Sequence, residues 1–280
     1  MTQRVTAPVI AASKGGRRLS MVTAYDYCSA RLADEAGLDM ILVGDSLAMV
    51  VLGHEDTLSV TMDEMLHHVR AVSRGAKRAL VVADMPFMSY HAGVESAVAN
   101  AGRYLKEAGA RAVKVEGAGD MLPKIAAMAG AQIPVLGHLG LTPQSIARLG
   151  GFKVQAKTAE AARLLTGEAL SLVDAGCFAI VLEAVPAAVA AEVTRAVSVP
   201  TIGIGAGPGC DGQVLVYHDM LGLYDKFQPK FVKRYAELGV ASREALERYK
   251  AEVESGAFPG PEHSFAMIAG EEAKLKDAGP

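Results

Sequence analysis

The chain contains no tryptophan, and aromatic residues make up only 5% of its 280 positions. There is no basic stripe with interleaved aromatics, and the formal net charge is −3. A nucleic acid or an anionic membrane is therefore not an expected partner. Cysteine is scarce: Cys28, Cys177 and Cys210 lie far apart, with no CxxC pair. That spacing excludes a disulfide framework and a zinc motif, and it fits small buried hydrophobes in a reducing compartment. No stretch approaches the roughly 18 apolar residues of a membrane span. Met1 to Ser20 carries Arg4, Lys14, Arg17 and Arg18 and lacks the apolar run of a secretory signal. The expectation is a cytoplasmic protein.

What the chain does have is apolar bulk, with 51% hydrophobic and 21% charged residues, an ordinary globular composition. The apolar residues come in short runs that end in acids. Ile41-Leu42-Val43-Gly44-Asp45-Ser46 is the organising example, and Leu80 to Asp84, Ala112 to Glu116 and Ala179 to Glu183 repeat the pattern. A buried strand reads as such a run. An unpaired carboxylate inside it is costly but is tolerable at its end, where a metal or substrate can meet it.

Between the runs lie helical segments with recognisable ends. Gly37 and Gly75 stop two of them, Thr61 with Glu64 forms a capping box, and Pro143 opens a short helix. The strands are expected at 19–24, 40–44, 80–83, 112–115, 133–137, 178–182, 200–204 and 214–217. Thr6 to Ser13 is expected to be a short helix plugging one end, and a last helical region runs from about Lys230 to Glu254. Strands alternating with helices imply a parallel sheet. About eight units in this length fit one (β/α)8 TIM barrel over 1–280, with an N-terminal capping helix, a C-terminal helical extension and a tail at 268–280 outside the core. A doubly wound open sheet is the weaker alternative, because no GxGxxG follows the first strand.

In such a barrel Asp26, Asp45, Asp84, Glu116, His138 and Glu183 fall at the catalytic ends of strands. Asp45, Asp84 and Glu116 are the best metal ligands, and hard oxygens without paired cysteines or histidines favour Mg²⁺. The plain alternative for any of them is a helix cap. Lys114 shares a strand face with Glu116; it either pairs with that acid or binds a substrate carboxylate. Glu183, flanked by apolar residues, suits proton abstraction, or is merely solvated at the barrel lip. His138 is a second candidate base or a structural residue. Gly203-Ile204-Gly205-Ala206-Gly207 lies where barrels often bind phosphate, but a tight turn explains it equally.

Taken together, Thr23-Ala24-Tyr25-Asp26, Val43-Gly44-Asp45-Ser46-Leu47, Asp84-Met85-Pro86-Phe87-Met88, Val113-Lys114-Val115-Glu116-Gly117 and Gly137-His138-Leu139-Gly140-Leu141-Thr142-Pro143-Gln144-Ser145 resemble the ketopantoate hydroxymethyltransferase family. The glycine run, His218-Asp219 and Pro259 to Phe265 extend the likeness over about residues 4 to 266. The resemblance implies a Mg²⁺-dependent enzyme of pantothenate biosynthesis that assembles as a decamer from two pentamers. It implies that a hydroxymethyl group moves from 5,10-methylenetetrahydrofolate to 3-methyl-2-oxobutanoate. By the same resemblance Asp45 and Asp84 bind the metal, Glu116 completes its surroundings, Ser46 and Lys114 hold the 2-oxo acid, and Glu183 accepts the proton. His91 stands where the family leads one to expect a neutral polar residue. The rival is a Mg²⁺-dependent 2-oxo-acid carbon–carbon lyase resembling the isocitrate lyase and phosphoenolpyruvate mutase group. That group carries a reactive cysteine in a mobile loop, a context no cysteine has here.

Overall fold

A computed structural model describes residues 4–226 and 229–277. Eight parallel strands close into a barrel in sequence order, β8 pairing with β1. They are β1 (Leu19–Thr23), β2 (Met40–Val43), β3 (Leu80–Asp84), β4 (Ala112–Glu116), β5 (Val135–Gly140), β6 (Cys177–Glu183), β7 (Thr201–Ile204) and β8 (Gly212–Leu215). The helices are α1 (Ala7–Ala11), α2 (Tyr27–Glu35), α3 (Leu47–Val50), α4 (Met62–Gly75), α5 (Val94–Glu107), α6 (Leu122–Gly130), α7 (Ile146–Leu149) and α8 (Ala159–Asp174). They continue with α9 (Ala187–Ala196), α10 (Tyr217–Met220), α11 (Leu238–Ser255) and α12 (Glu271–Asp277). The TIM-barrel expectation holds. No described helix is long and apolar enough to cross a membrane.

The strand period of two divides the core into two clusters. Met21, Met40, Leu42, Leu80, Val82, Ala112, Leu136, Ala179, Val181, Ile202 and Val214 point inward and pack together. Their sequence neighbours Val22, Ile41, Val43, Val81, Val113, Val115 and Ile180 point outward, against the helices. α1 plugs the bottom, as its sequence suggested: Ile10 is fully buried and joins the inward cluster. The α4 capping box is formed, Thr61 Oγ1 accepting from Glu64 N and Glu64 Oε2 accepting from Thr61 N at 2.8 Å.

Several boundaries differ from the sequence reading. β5 starts two residues later than expected and runs to Gly140, so His138 lies inside a strand rather than after one. Pro134 lacks a donor and marks the true entry to that strand. β8 begins at Gly212, while Tyr217 already opens α10. A short helix that the sequence did not mark, α3, follows β2 directly after Ser46. The last long helix begins at Leu238 rather than near Lys230. In the tail, α12 covers Glu271–Asp277, and the expectation for 278–280 falls outside the described residues.

β7 and β8 are joined by the glycine run, without a helix. A Cβ on Gly207 would stand 2.5 Å from the Ala187 Cβ of α9. The close approach of this loop to α9 therefore accounts for a glycine that could have been read as a phosphate cradle.

Candidate active site

The inward columns change character as they rise. Leu80-Val82 ends in Asp84, Ala112 leads to Lys114 and Glu116, Leu136 to His138, and Ala179-Val181 to Glu183. The alternation that fills the lower barrel with apolar side chains thus delivers charged ones to its upper end. Asp45 joins them from just after β2. Asp26 does not; its side chain accepts from Ser29 N at 2.9 Å and caps α2, the plain reading for a strand-end acid.

Asp45, Asp84, Lys114, Glu116 and His138 are all buried. Lys114 Nζ lies 2.9 Å from Asp84 Oδ2 and 3.8 Å from Glu116 Oε1. The closer partner is thus Asp84, not the Glu116 that the sequence nominated. His138 stands between two acids, with Nδ1 3.3 Å from Glu116 Oε1 and Nε2 3.2 Å from Glu183 Oε2. Gln144 ties the acids together: its Nε2 donates to Asp45 Oδ2 at 2.9 Å, and its backbone N–H donates to Glu116 Oε2 at 3.1 Å. Tyr90 in turn donates to Gln144 Oε1 at 2.7 Å. Ser46 Oγ lies 2.9 Å from the buried Tyr25 hydroxyl. His91 packs on the Tyr90 ring at 4.2 Å; burial and Lys124 hold its pKa below the ordinary value.

Burial is the largest influence on each of these groups and disfavours its charged form. For Asp45, repulsion from Asp84 and Glu116 adds to burial, and Lys114 and Gln144 only partly offset it; its pKa lies well above the carboxylate range. Asp84 is raised as well, burial and Glu116 outweighing Lys114. Glu116 goes the other way, because His138 and Lys114 overcome its burial. Lys114 is raised, since three acids outweigh its desolvation. Burial and Lys114 pull His138 down, but Glu116 and Glu183 hold it up at about 9. Its Nδ1 also lies 3.2 Å from Lys114 Nζ, which a neutral ring would accept from. With more acids than cations around it, the charged ring is the better account. A charged imidazolium at neutral pH is a poor proton acceptor.

The positive charge present does not satisfy the acids. Asp84 Oδ1 is buried without a hydrogen-bond partner among the described residues, and Glu116 Oε1 has only the ion-pair contacts of His138 and Lys114. A cavity of about 350 Å³ opens above them, with Ser46, Asp45, Asp84, Lys114, Glu116, His138 and Glu183 in its walls. No cysteine lines it among the described residues: Cys177 and Cys210 are buried in the fold, and Cys28 is exposed. Directly after Glu183, Ala184 takes a left-handed conformation (φ +48°), the kind of local strain that collects at working sites. Gln144 and Tyr90 are the site residues that sequence reasoning passed over. Gln144 stood in the short helix opened by Pro143 and in the Gly137–Ser145 motif, with no role assigned to it.

The family model described as ketopantoate hydroxymethyltransferase matches residues 4–261. The chain belongs to that family. As a member it is a transferase, and the curated relatives support ketopantoate formation. The chain is 66% identical to the 3-methyl-2-oxobutanoate hydroxymethyltransferase of Syntrophobacter fumaroxidans over 98% of each chain. It is 60% identical to that of Oleidesulfovibrio alaskensis over 99% of this chain and 96% of the relative. Among solved structures, 2,3-dimethylmalate lyase, a PEP mutase/isocitrate lyase superfamily member, is similar in fold, with a TM-score of 0.58 at 17% identity over 97% of this chain and 98% of that one. The rival reading thus shares the barrel, and the sequence relatives lie elsewhere.

Proposed function

We propose that the chain transfers a hydroxymethyl group from 5,10-methylenetetrahydrofolate to 3-methyl-2-oxobutanoate in a Mg²⁺-dependent reaction. The product is 2-dehydropantoate, and the step commits carbon to pantothenate. What carries this reading is the meeting of Asp45, Asp84, Glu116, Lys114 and Glu183 in one cavity, with the buried Asp84 Oδ1 unpartnered among the described residues, in a chain of this family.

The residues fit a hard divalent cation. All the free donors are carboxylate oxygens, and they raise one another's proton affinity, as acids that want a cation do. Among the described residues no three acids, histidines or cysteines form a ready-made ligand cage. Mg²⁺ does not need one, since it is usually held by one or two carboxylates and takes its other ligands from water and substrate. Asp45 and Asp84 would hold it, with Glu116 acting through water. When bound, the cation supplies positive charge to the carboxylate and keto oxygens of the 2-oxo acid.

Lys114 and Ser46 bind and orient the 2-oxo acid. Glu183 takes the C3 proton. The electron pair left on C3 forms a bond to the methylene carbon of the folate donor, both C–N bonds that held that carbon to the folate break, water supplies the hydroxyl oxygen, and the C3 proton and one proton of the water end on the two folate nitrogens. His138 orients Glu183 and keeps its charge balanced. The lyase alternative loses weight because no described cysteine reaches the cavity. The test is turnover with purified components. Chelation should abolish formation of 2-dehydropantoate and Mg²⁺ should restore it, and full activity in protein shown by elemental analysis to be metal-free would refute the reading.

The same reading makes the chain a cytoplasmic homodecamer built from two pentamers. In support, α11 has no buried residue, and Leu246 (67% exposed), Tyr249 and Val253 form a stripe along it at helical spacing. Light scattering should report a mass far above the 29.2 kDa of one chain; a monomer at micromolar concentration would refute the assembly.

A further inference from the structure

The proposed reaction needs a second substrate to reach C3 from above, and the upper cavity differs from its floor. Phe152, from the segment after α7, and Tyr224 and Phe231, from the segment after α10, present aromatic rings there. Lys153 and Lys230 stand beside them at the rim. Phe231 lies against the backbone of the β7 loop: a Cβ on Gly205, where φ is +63°, would come within 2.7 Å of its ring. One carboxylate lines this part of the cavity away from the acid cluster, that of Asp219 on α10. Among the described residues it has no hydrogen-bond donor and no ion-pair partner, because Arg234, the cation that bears on it, pairs with Glu237 at 3.0 Å. Burial pushes its carboxyl up to about 6, with Arg234 pulling the other way. A half-buried carboxylate, unpartnered among the described residues, in a cavity that also presents aromatic rings is an acceptor for a flat donor.

We infer that Asp219, with Phe152 and Phe231, forms the subsite for the 2-amino-4-oxo-pteridine ring of the one-carbon donor. Lys153 and Lys230 receive the carboxylates of its glutamate tail. The inference rests on the reading above for the identity of the donor. Such a ring presents two neighbouring N–H groups on one edge, which match the two oxygens of a carboxylate as a paired, charge-assisted contact. Its faces stack on aromatic side chains. Few polar groups in a largely apolar pocket is the usual arrangement for orienting a ligand of this kind.

The experiment uses full-length protein and tetrahydrofolate as the probe, with binding measured by calorimetry in the presence of Mg²⁺ and 3-methyl-2-oxobutanoate. Asp219→Asn keeps the shape but loses the paired acceptor, and the tetrahydrofolate Kd should rise at least about tenfold. The Kd of 3-methyl-2-oxobutanoate, measured alone, should move less than about twofold if only the donor subsite is touched. Phe231→Leu keeps apolar volume without the ring and should weaken tetrahydrofolate by a smaller factor, so the inference stands on two variants. An unchanged tetrahydrofolate Kd in Asp219→Asn, or equal weakening of both ligands, would overturn it. Because this readout needs no turnover, it separates a wrong subsite from a wrong reaction: wild-type protein that binds tetrahydrofolate but makes no 2-dehydropantoate would count against the reaction alone.

Discussion

At the lower end of the barrel, Asp39 and Asp211 are surrounded by donors; at the upper end, Asp45 and Asp84 crowd with Glu116, and the donors of Lys114 and Gln144 do not offset burial and repulsion. Asp39 accepts from Arg17, at 2.6 and 2.9 Å, and from both the backbone and the hydroxyl of Ser20. Asp211 accepts from Lys14, Gly15 and Thr201. Although burial alone would raise them, both lie below the ordinary value because these donors win. Asp45 and Asp84 lie above it. The same residue type, buried in the same barrel, is thus held in its charged form at one end and pushed towards its protonated form at the other. In a barrel of this kind the lower face serves stability and the upper face chemistry.

The sharpest way to break the comparison is to remove one acid from each end. Asp84→Ala should lose turnover by at least about a thousandfold, since a Lewis acid contributes several kcal/mol and each ~1.4 kcal/mol is a factor of ten. Its far-ultraviolet circular dichroism should stay that of the wild type. Asp39→Ala should do the reverse: denaturant unfolding should report a loss of about 1–3 kcal/mol, the cost of leaving its donors unpaired, with kcat within about twofold. If the two variants behave alike, the division of labour between the ends is wrong.

A finer test uses pH. Asp45 is raised above its unfolded value of 3.8, so the folded state binds that proton more tightly and stability falls as pH rises between 3.8 and the raised value. Metal-free Asp45→Asn should therefore melt above wild type near neutral pH and lose that advantage as pH falls towards 3.8. Asp39 and Asp211 contribute the opposite way: their stabilisation is present above 3.8 and is lost as pH drops below it. Thermal melts across pH read both signs, and a constant difference between Asp45→Asn and wild type would contradict the repulsion argument. The smallest expected effect belongs to the scaffold alone. Thr61→Ala removes the α4 cap and should cost about 1 kcal/mol in denaturant unfolding, with no change in KM.

Much of this contrast was legible before any coordinates. Period-two apolar runs ending in Asp84, Glu116 and Glu183 carried both the barrel and the position of its working end, because strand geometry leaves little choice about where alternate side chains point. What could not be read was which acid meets which cation. Lys114 is nearest in sequence to Glu116, yet the pairing of β3 with β4 sets Asp84 directly beside Lys114. His138 was open between base and structure until β5 put it between two carboxylates. Gln144 was quoted in its motif without a role, because an amide at the start of a short helix carries no signal of its own; only the fold brings it to Asp45. The short α3 and the late start of α11 were missed for a simpler reason, since tertiary position rather than propensity decides such ends.

The central claim is that the upper acids orient a 2-oxo acid so that Glu183 takes its C3 proton. The most direct measurement is nuclear magnetic resonance of 3-methyl-2-oxobutanoate in deuterated water with Mg²⁺ and no folate, comparing wild type with Glu183→Gln. Wild type should exchange the C3 proton. The variant should still bind the 2-oxo acid but exchange at least about a hundredfold more slowly, the low end for a positioned base. Exchange at the wild-type rate in Glu183→Gln would place the base elsewhere and contradict the account.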